Sequence, residues 1–146
     1  ADRVPERIKH VVYIDAFLPE DGESLNTSRC GTGGRAGGRG GLGLNNTNGF
    51  VTLRGYNPNK LPPSEVPQPA KTLSEPISLK NQDAVKKIPT TYILAVPAGR
   101  QPQDAAFNFF YERAKALGWT MLTIESDHNI QWSHPKELVK LLEQAP

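Results

Sequence analysis

The chain has 146 residues, enough for one domain with a hydrophobic core, and 37% of them are hydrophobic. Seventeen basic and fifteen acidic residues leave a net charge of +2, so charge gives no argument for binding nucleic acid or an anionic membrane. Cys30 is the single cysteine, which excludes an intramolecular disulfide and a cysteine metal cluster.

The first predicted strand covers residues 11–17, a run of apolar, β-branched and aromatic side chains that stops before Pro19. A run without polar alternation is typical of a strand buried on both faces of a parallel sheet. Residues 1–7 have the pattern of a helix tail, and a chain seldom begins with the last turn of a helix. We therefore expect that a preceding part of the fold is missing.

A glycine- and proline-rich stretch follows over residues 26–75. Its run of glycines at residues 31–41 has no apolar periodicity, which predicts a mobile segment over residues 29–49. An RNA-contacting segment of the Arg-Gly type is the alternative, but aromatic side chains do not interleave with its few arginines. No Gly-Lys-Ser/Thr follows, so the run is not a phosphate loop. Four prolines then stiffen an extended connector: Pro62, Pro63, Pro67 and Pro69.

Regular structure is predicted again after Pro76. Residues 90–96 form a second strand, residues 104–117 a helix, residues 119–124 a third strand, and a last helix begins after Pro135. The predicted helices have apolar faces made of Phe107, Phe110, Ala114 and Leu117 in one, and of Leu138, Leu141 and Leu142 in the other. Strands that alternate with helices indicate an α/β protein with a parallel sheet.

The loop between the third strand and the last helix contains Ser126, Asp127 and His128. A histidine in a short loop after a buried strand is where an α/β-hydrolase carries its general base, which takes a proton from the nucleophile and returns it to the leaving group. A loop residue without any catalytic role is the alternative. Asp127 is more typical of a turn-forming residue than of a partner for its neighbour.

Four segments together resemble the C-terminal half of the α/β-hydrolase fold, in its esterase and hydroxynitrile-lyase-like branch: residues 5–24, 67–76, 88–93 and 118–138. The resemblance implies three regions. Residues 1–19 would contain a core strand, residues 20–76 a glycine- and proline-rich lid insert, and residues 77–146 the C-terminal part of the hydrolase core. Residues 26–55 do not resemble the helical lid of that family.

The family's nucleophile elbow, Gly-x-Ser-x-Gly, is absent from this sequence. In the family it lies one helix before the strand that here begins near His10, a position upstream of Ala1. We therefore expect the nucleophilic serine in a companion N-terminal half. The chain would be either a fragment or one product of a cleaved precursor, and inactive alone.

The resemblance leaves two candidates for the acid of the triad. Residues 96–99, where the family usually carries it, have no carboxylate. Asp15 ends the preceding strand and would be buried, and a buried carboxylate needs a partner such as an imidazole N–H. Asp104 is the second candidate, although it is also suited to capping a helix. A third possibility is that neither partners His128.

The remaining histidines, His10 and His134, are interpreted as a structural residue and a helix-entry residue. The three histidines lack the spacing of metal ligands, so we predict no metal, and nothing indicates a cofactor. Three aromatic residues could line an acyl pocket or simply pack: Phe50, Tyr56 and Trp132.

The function that the resemblance implies is hydrolysis of carboxylic esters through an acyl-enzyme, with His128 as base and Asp15 as its orienting acid. Cyanohydrin cleavage on the same frame is one alternative, and a non-catalytic hydrolase-like binding fragment is another. The expected partners are a small-molecule ester and the companion half, without nucleic acid or membrane. No bilayer-spanning segment or signal peptide is visible. The sequence leaves the localisation open, with the cytoplasm favoured.

Overall fold

The computed structural model describes residues 1–28, 44–53, 56–59 and 66–145. The chain falls into two compact units, one comprising Ala1–Leu18 with Leu79–Pro146 and the other comprising Pro19–Ser78. The glycine run at residues 31–41 lies outside the described residues, and so does most of the segment predicted to be mobile.

The described residues contain six strands and six short α-helices. In chain order the strands are β1 Val11–Ile14, β2 Leu44–Thr47, β3 Phe50–Leu53, β4 Gln68–Pro69, β5 Thr90–Val96 and β6 Thr120–Glu125. The α-helices are α1 Leu25–Ser28, α2 Lys71–Ser74, α3 Gln82–Val85, α4 Asn108–Ala116, α5 Ile130–Ser133 and α6 Pro135–Gln144. Two 3₁₀ turns cover Pro5–Arg7 and Pro102–Asp104.

The first unit is built on a parallel sheet with the order β1-β5-β6. Ile14 of β1 pairs with Ile93 of β5, and Glu125 of β6 pairs with Val96. All seven residues of β5 are buried, as expected for a central parallel strand covered on both faces. The predicted class, a mixed α/β protein with a parallel sheet, is therefore confirmed.

Helices cover both faces of this sheet because the side chains of β5 alternate between two hydrophobic clusters. Tyr92, Leu94 and Val96 pack with Phe110 and Ala114 of α4 on one face. On the other face Ile93 and Ala95 pack with Ile130 of α5 and Leu138 of α6. The carboxyl ends of the three strands remain at one edge of the sheet, which is where the candidate site lies.

Several predicted boundaries in the first unit are wrong. The first strand ends at Ile14 instead of residue 17, because Asp15 has a φ of +42°, which is incompatible with extended backbone. The helix predicted over residues 104–117 begins only at Asn108, since Ala105 has a ψ of 144° and separates it from the preceding 3₁₀ turn. The third strand covers Thr120–Glu125, one residue later than predicted.

The second unit contains an antiparallel sheet, β2-β3-β4, that was not predicted. Thr47 pairs with Phe50 across a two-residue turn in which Asn48 and Gly49 have φ values of +51° and +78°. An Asn-Gly pair is the sequence signal of this turn type, because both positions need a positive φ. The surrounding glycine-rich sequence concealed that signal.

Among the described residues, no helix has both the length and the apolar character needed to cross a membrane.

Candidate active site

Asp15 lies just beyond the carboxyl end of β1, and only 3% of its surface is exposed. Its backbone N–H donates to the carbonyl of Ile93 at 2.7 Å, and its Oδ1 accepts the N–H of Ala95 at 3.0 Å. The positive φ turns the chain out of the strand at this residue. Such conformations cost about 1–3 kcal/mol and cluster at functional sites, where the surrounding contacts hold them in place.

His128 lies in the loop after β6, and its Nδ1 is 2.7 Å from Oδ2 of Asp15. The two residues are 113 positions apart in sequence. Parallel strands bring them together, because β1 and β6 both neighbour β5 and end at the same edge. The imidazole side chain is 59% exposed, so one ring nitrogen is held by a buried carboxylate while much of the ring faces solvent.

The electrostatics of this pair are set mainly by burial. Loss of hydration raises the pKa of the Asp15 carboxyl, while the hydrogen bonds from His128 and from the N–H of Ala95 act in the opposite direction. Burial and the nearby charge of Asp15 also raise the pKa of Tyr92, whose hydroxyl donates to the carbonyl of Ala16 at 2.5 Å. The carboxylate is therefore costly to hold charged without its imidazole partner.

The loop that carries His128 is closed by a chain of side-chain hydrogen bonds. Ser126, which is 6% exposed, has its Oγ 2.9 Å from Nδ1 of His134 and 3.0 Å from Oγ of Ser133. Ser133 Oγ donates to Oδ1 of Asp127 at 2.9 Å, and the N–H of Asn129 donates to the same oxygen at 2.9 Å. One consistent set of donors runs from His134 through Ser126 and Ser133 to Asp127.

One face of the imidazole is covered by Phe107, the residue before α4. The two ring centroids are 4.9 Å apart and the ring planes differ by 4°. The centroid of the Phe107 ring is also 5.0 Å from that of Phe17, in an edge-to-face arrangement, and 6.2 Å from that of Phe110. This contact was not predicted, because the spacing of Phe107 indicated only a helix face.

The other acidic candidate lies elsewhere. Asp104 is exposed, and its Oδ2 accepts the N–H of Gln101 at 3.1 Å, which closes a 3₁₀ turn. Asp127 accepts the N–H of Asn129 within its own loop. The structure therefore brings Asp15, and not Asp104 or Asp127, into hydrogen-bond contact with His128. The catalytic roles of both members of the pair stay predictions.

The remaining residues singled out in the sequence lie away from this pair or outside its unit. His10 Nε2 is 3.0 Å from Oγ1 of Thr91, near the amino ends of β1 and β5. His134 precedes α6 and bonds Ser126, a link that its position in sequence did not indicate. Trp132 is 72% exposed. Phe50 and Tyr56 belong to the second unit, so their part in an acyl pocket stays a prediction.

Within the described ranges, no group of three or more His, Cys, Asp or Glu residues is arranged to hold a metal ion. A concavity of about 660 Å³ lies along residues 79–87, and neither Asp15 nor His128 belongs to its lining. This concavity is therefore separate from the Asp–His pair.

Comparison with known proteins gives no match to a family model, a curated protein or a solved structure. The class that the described residues define is a mixed α/β protein with a parallel three-stranded sheet. A buried aspartate and its histidine partner lie at the carboxyl edge of that sheet.

Proposed function

We propose that Asp15 and His128 form the acid–base part of a serine hydrolase that cleaves carboxylic esters. The contact that carries the proposal is the 2.7 Å hydrogen bond between His128 Nδ1 and the buried Oδ2 of Asp15. A buried acid that holds one nitrogen of a partly exposed imidazole is the arrangement a general base requires. The nucleophile would come from a segment outside these residues, since Gly-x-Ser-x-Gly is absent.

Each group then has a defined task. Asp15 accepts a hydrogen bond from the Nδ1–H group, which keeps the proton on Nδ1 and leaves the lone pair of Nε2 free on the opposite side of the ring. Nε2 takes the serine proton as the serine oxygen attacks the ester carbon, and it returns that proton to the leaving alcohol. Water then attacks the acyl carbon as Nε2 takes its proton, and Nε2 returns that proton to the serine oxygen as the bond to serine breaks and the carboxylic acid leaves.

A purely structural interpretation of Asp15 is the alternative, because its Oδ1 already accepts the N–H of Ala95. That bond uses one carboxylate oxygen and anchors the end of β1 to β5. It does not account for the second oxygen, which is directed to a side chain that remains more than half exposed. Burial explains why Oδ2 needs a partner, but it does not explain why that partner is an exposed imidazole.

The proposal is tested by turnover of p-nitrophenyl esters by the assembled protein, meaning this chain with the segment that supplies the serine. Asp15→Asn keeps the size of the side chain but places an NH₂ group against Nδ1, which favours the wrong imidazole tautomer. We expect kcat to fall by about 10²–10⁴-fold. Asp104→Asn, the same change at an exposed carboxylate, is the matched control and should retain full turnover.

His128→Ala should remove most of the turnover without unfolding the protein, because the side chain lies at the rim of the sheet. Full turnover by this variant would show that the proposed base is wrong. The same preparations should be offered mandelonitrile. Cleavage of that cyanohydrin without ester hydrolysis would leave the Asp–His pair in place but make the reaction a lyase reaction. Inactivity towards both substrates would favour a binding role.

A further inference from the structure

The Asp15 hydrogen bond alone does not fix the orientation of the His128 ring. It holds one ring atom, Nδ1, but a single hydrogen bond tolerates a range of donor angles, so the ring can still tilt through coupled changes of χ1 and χ2. The χ2 angle of histidine has a broad energy minimum, so the side chain itself supplies little resistance. His128 is also in a loop and more than half exposed. A second contact is needed for Nε2 to point in one direction.

Phe107 supplies a contact of the required kind. Its ring is parallel to the imidazole within 4°, at a centroid separation of 4.9 Å. A stack on the ring face opposes rotation of the ring plane, which is the motion that the hydrogen bond permits. The stack of Phe107 on the ring face and the hydrogen bond of Asp15 to Nδ1 therefore restrict different motions of the imidazole.

Phe107 packs against the short segment that follows β1 and contains Asp15. Phe17, two residues after Asp15, meets it edge-on at 5.0 Å. Phe110 of α4 is almost fully buried and contacts both rings. The plane of the imidazole is thus set relative to the same short segment that positions the carboxylate.

We propose that Phe107 is a positioning residue that sets the plane of the His128 imidazole and so aims Nε2. The role rests on the proposed hydrolase function, because aiming matters only if Nε2 transfers a proton. Proton transfer between positioned groups is sensitive to small misplacements, so a loosened ring should lower the rate of the chemical step.

The direct test is the NMR order parameter of the His128 ring in the assembled protein, with the 146-residue chain labelled at the histidine ring carbons. Phe107→Leu and Phe107→Met both remove the ring and keep apolar bulk, so one serves if the other fails to fold. We expect the order parameter to fall from about 0.8 to below about 0.6 in these variants. Phe107→Tyr keeps the ring and should retain the wild-type value.

Phe109→Leu is the matched control, since Phe109 lies two residues further along in α4, is partly buried and packs on Phe110 and Arg113 instead of His128. It should change stability by a similar amount without loosening the imidazole. A His128 ring equally ordered in Phe107→Leu and wild type would overturn the inference. So would equal loosening in Phe109→Leu.

In the assembled protein, Phe107→Leu should lower kcat for p-nitrophenyl esters about tenfold with little change in KM, while Phe107→Tyr stays near wild type. This measurement separates two failures. If the ring loosens as expected but no variant hydrolyses esters, the hydrolase proposal fails and the positioning contact stands. If wild type and Phe107→Leu turn over equally, the positioning role is wrong even though the enzyme is active.

Discussion

The carboxyl group of Asp15 is buried although carboxylates are strongly hydrated in water. Two contacts offset the lost hydration: the N–H of Ala95 on Oδ1 and the imidazole of His128 on Oδ2. Neither removes it fully, since burial still leaves the pKa of Asp15 raised. The charged form of Asp15 therefore destabilises the folded state relative to the protonated form.

This raised pKa predicts a pH dependence of stability. Because the folded state binds the Asp15 proton more tightly than the unfolded state, the contribution of Asp15 to stability is highest below its unfolded pKa, about 4. That contribution is lost as pH rises through the folded pKa. The unfolding free energy of wild type relative to Asp15→Asn should therefore decline from acid towards neutral pH, as measured by urea denaturation at several pH values.

The His128→Ala background sharpens this test. Without the imidazole, one of the two hydrogen bonds that lower the pKa of Asp15 is absent, while the bond from Ala95 and the opposing burial effect remain. The decline in stability with pH should then be larger and extend to higher pH than in wild type. In each background, wild type or His128→Ala, the measured quantity is the change in unfolding free energy caused by Asp15→Asn. If this change is the same at every pH in both backgrounds, the raised pKa of Asp15 is contradicted.

At the scale of elements, the loop between β6 and α5 is held in shape by the hydroxyl of Ser133, the last residue of α5. That hydroxyl bonds Asp127 and lies next to the buried hydroxyl of Ser126. Ser133→Ala should lower the unfolding free energy by about 1–2 kcal/mol, because Ser126 loses a buried partner and Asp127 a donor. Urea denaturation measures the loss, and faster amide exchange at Asn129 would locate it in the loop.

Ser74→Ala is the control for this loop prediction. Ser74 is exposed, and its hydroxyl makes a single long hydrogen bond of 3.4 Å to the carbonyl of Ala70. Its removal should change the unfolding free energy by less than about 0.5 kcal/mol. Equal losses in the Ser74 and Ser133 variants would mean that the hydrogen-bond chain does not stabilise the loop.

The elements differ in how well the sequence predicts them, for physical reasons. The strand Thr90–Val96 is confirmed at both ends, because a run of β-branched, aromatic and apolar residues lies between Pro89 and Pro97. The end of β1 was mispredicted because Asp15 leaves the strand through a positive φ that propensity does not reveal. The start of α4 was mispredicted because the extended backbone at Ala105 separates two helical segments that share one apolar pattern.

Some contacts of the candidate site can likewise be predicted from the sequence and others cannot. The meeting of Asp15 and His128 follows from strand ends at one edge of a parallel sheet, so a sequence can indicate it. The stack of Phe107 on His128 and the bond between Ser126 and His134 depend on how two loops turn. Loop conformation has no periodic signal, so neither contact could be predicted.

At the scale of the whole molecule, the parallel sheet is small. Within the described part of the chain, β1 and β6 each pair with β5 alone. Every residue of β1 is only partly buried, in contrast to the full burial of β5. Parallel sheets of this kind are usually covered on both faces, and an unpaired edge is a template for association.

We therefore expect the isolated 146-residue chain to be aggregated or partly unfolded, and to become compact when the proposed companion segment is added. Thermal unfolding followed by circular dichroism, with sizing by analytical ultracentrifugation, distinguishes these states. A monomer that unfolds in one cooperative transition without any added segment would show that the three strands suffice.

The left-handed backbone at Asp15 has a consequence for directed evolution. Asparagine adopts this conformation with little strain, keeps an oxygen for the N–H of Ala95 and holds no charge in the buried position. A library of all substitutions at this position, sorted for expression or heat resistance, should enrich asparagine above the native aspartate. The same library sorted for ester turnover should return aspartate alone. Selection for stability and selection for ester turnover would thus rank the substitutions at position 15 in opposite order.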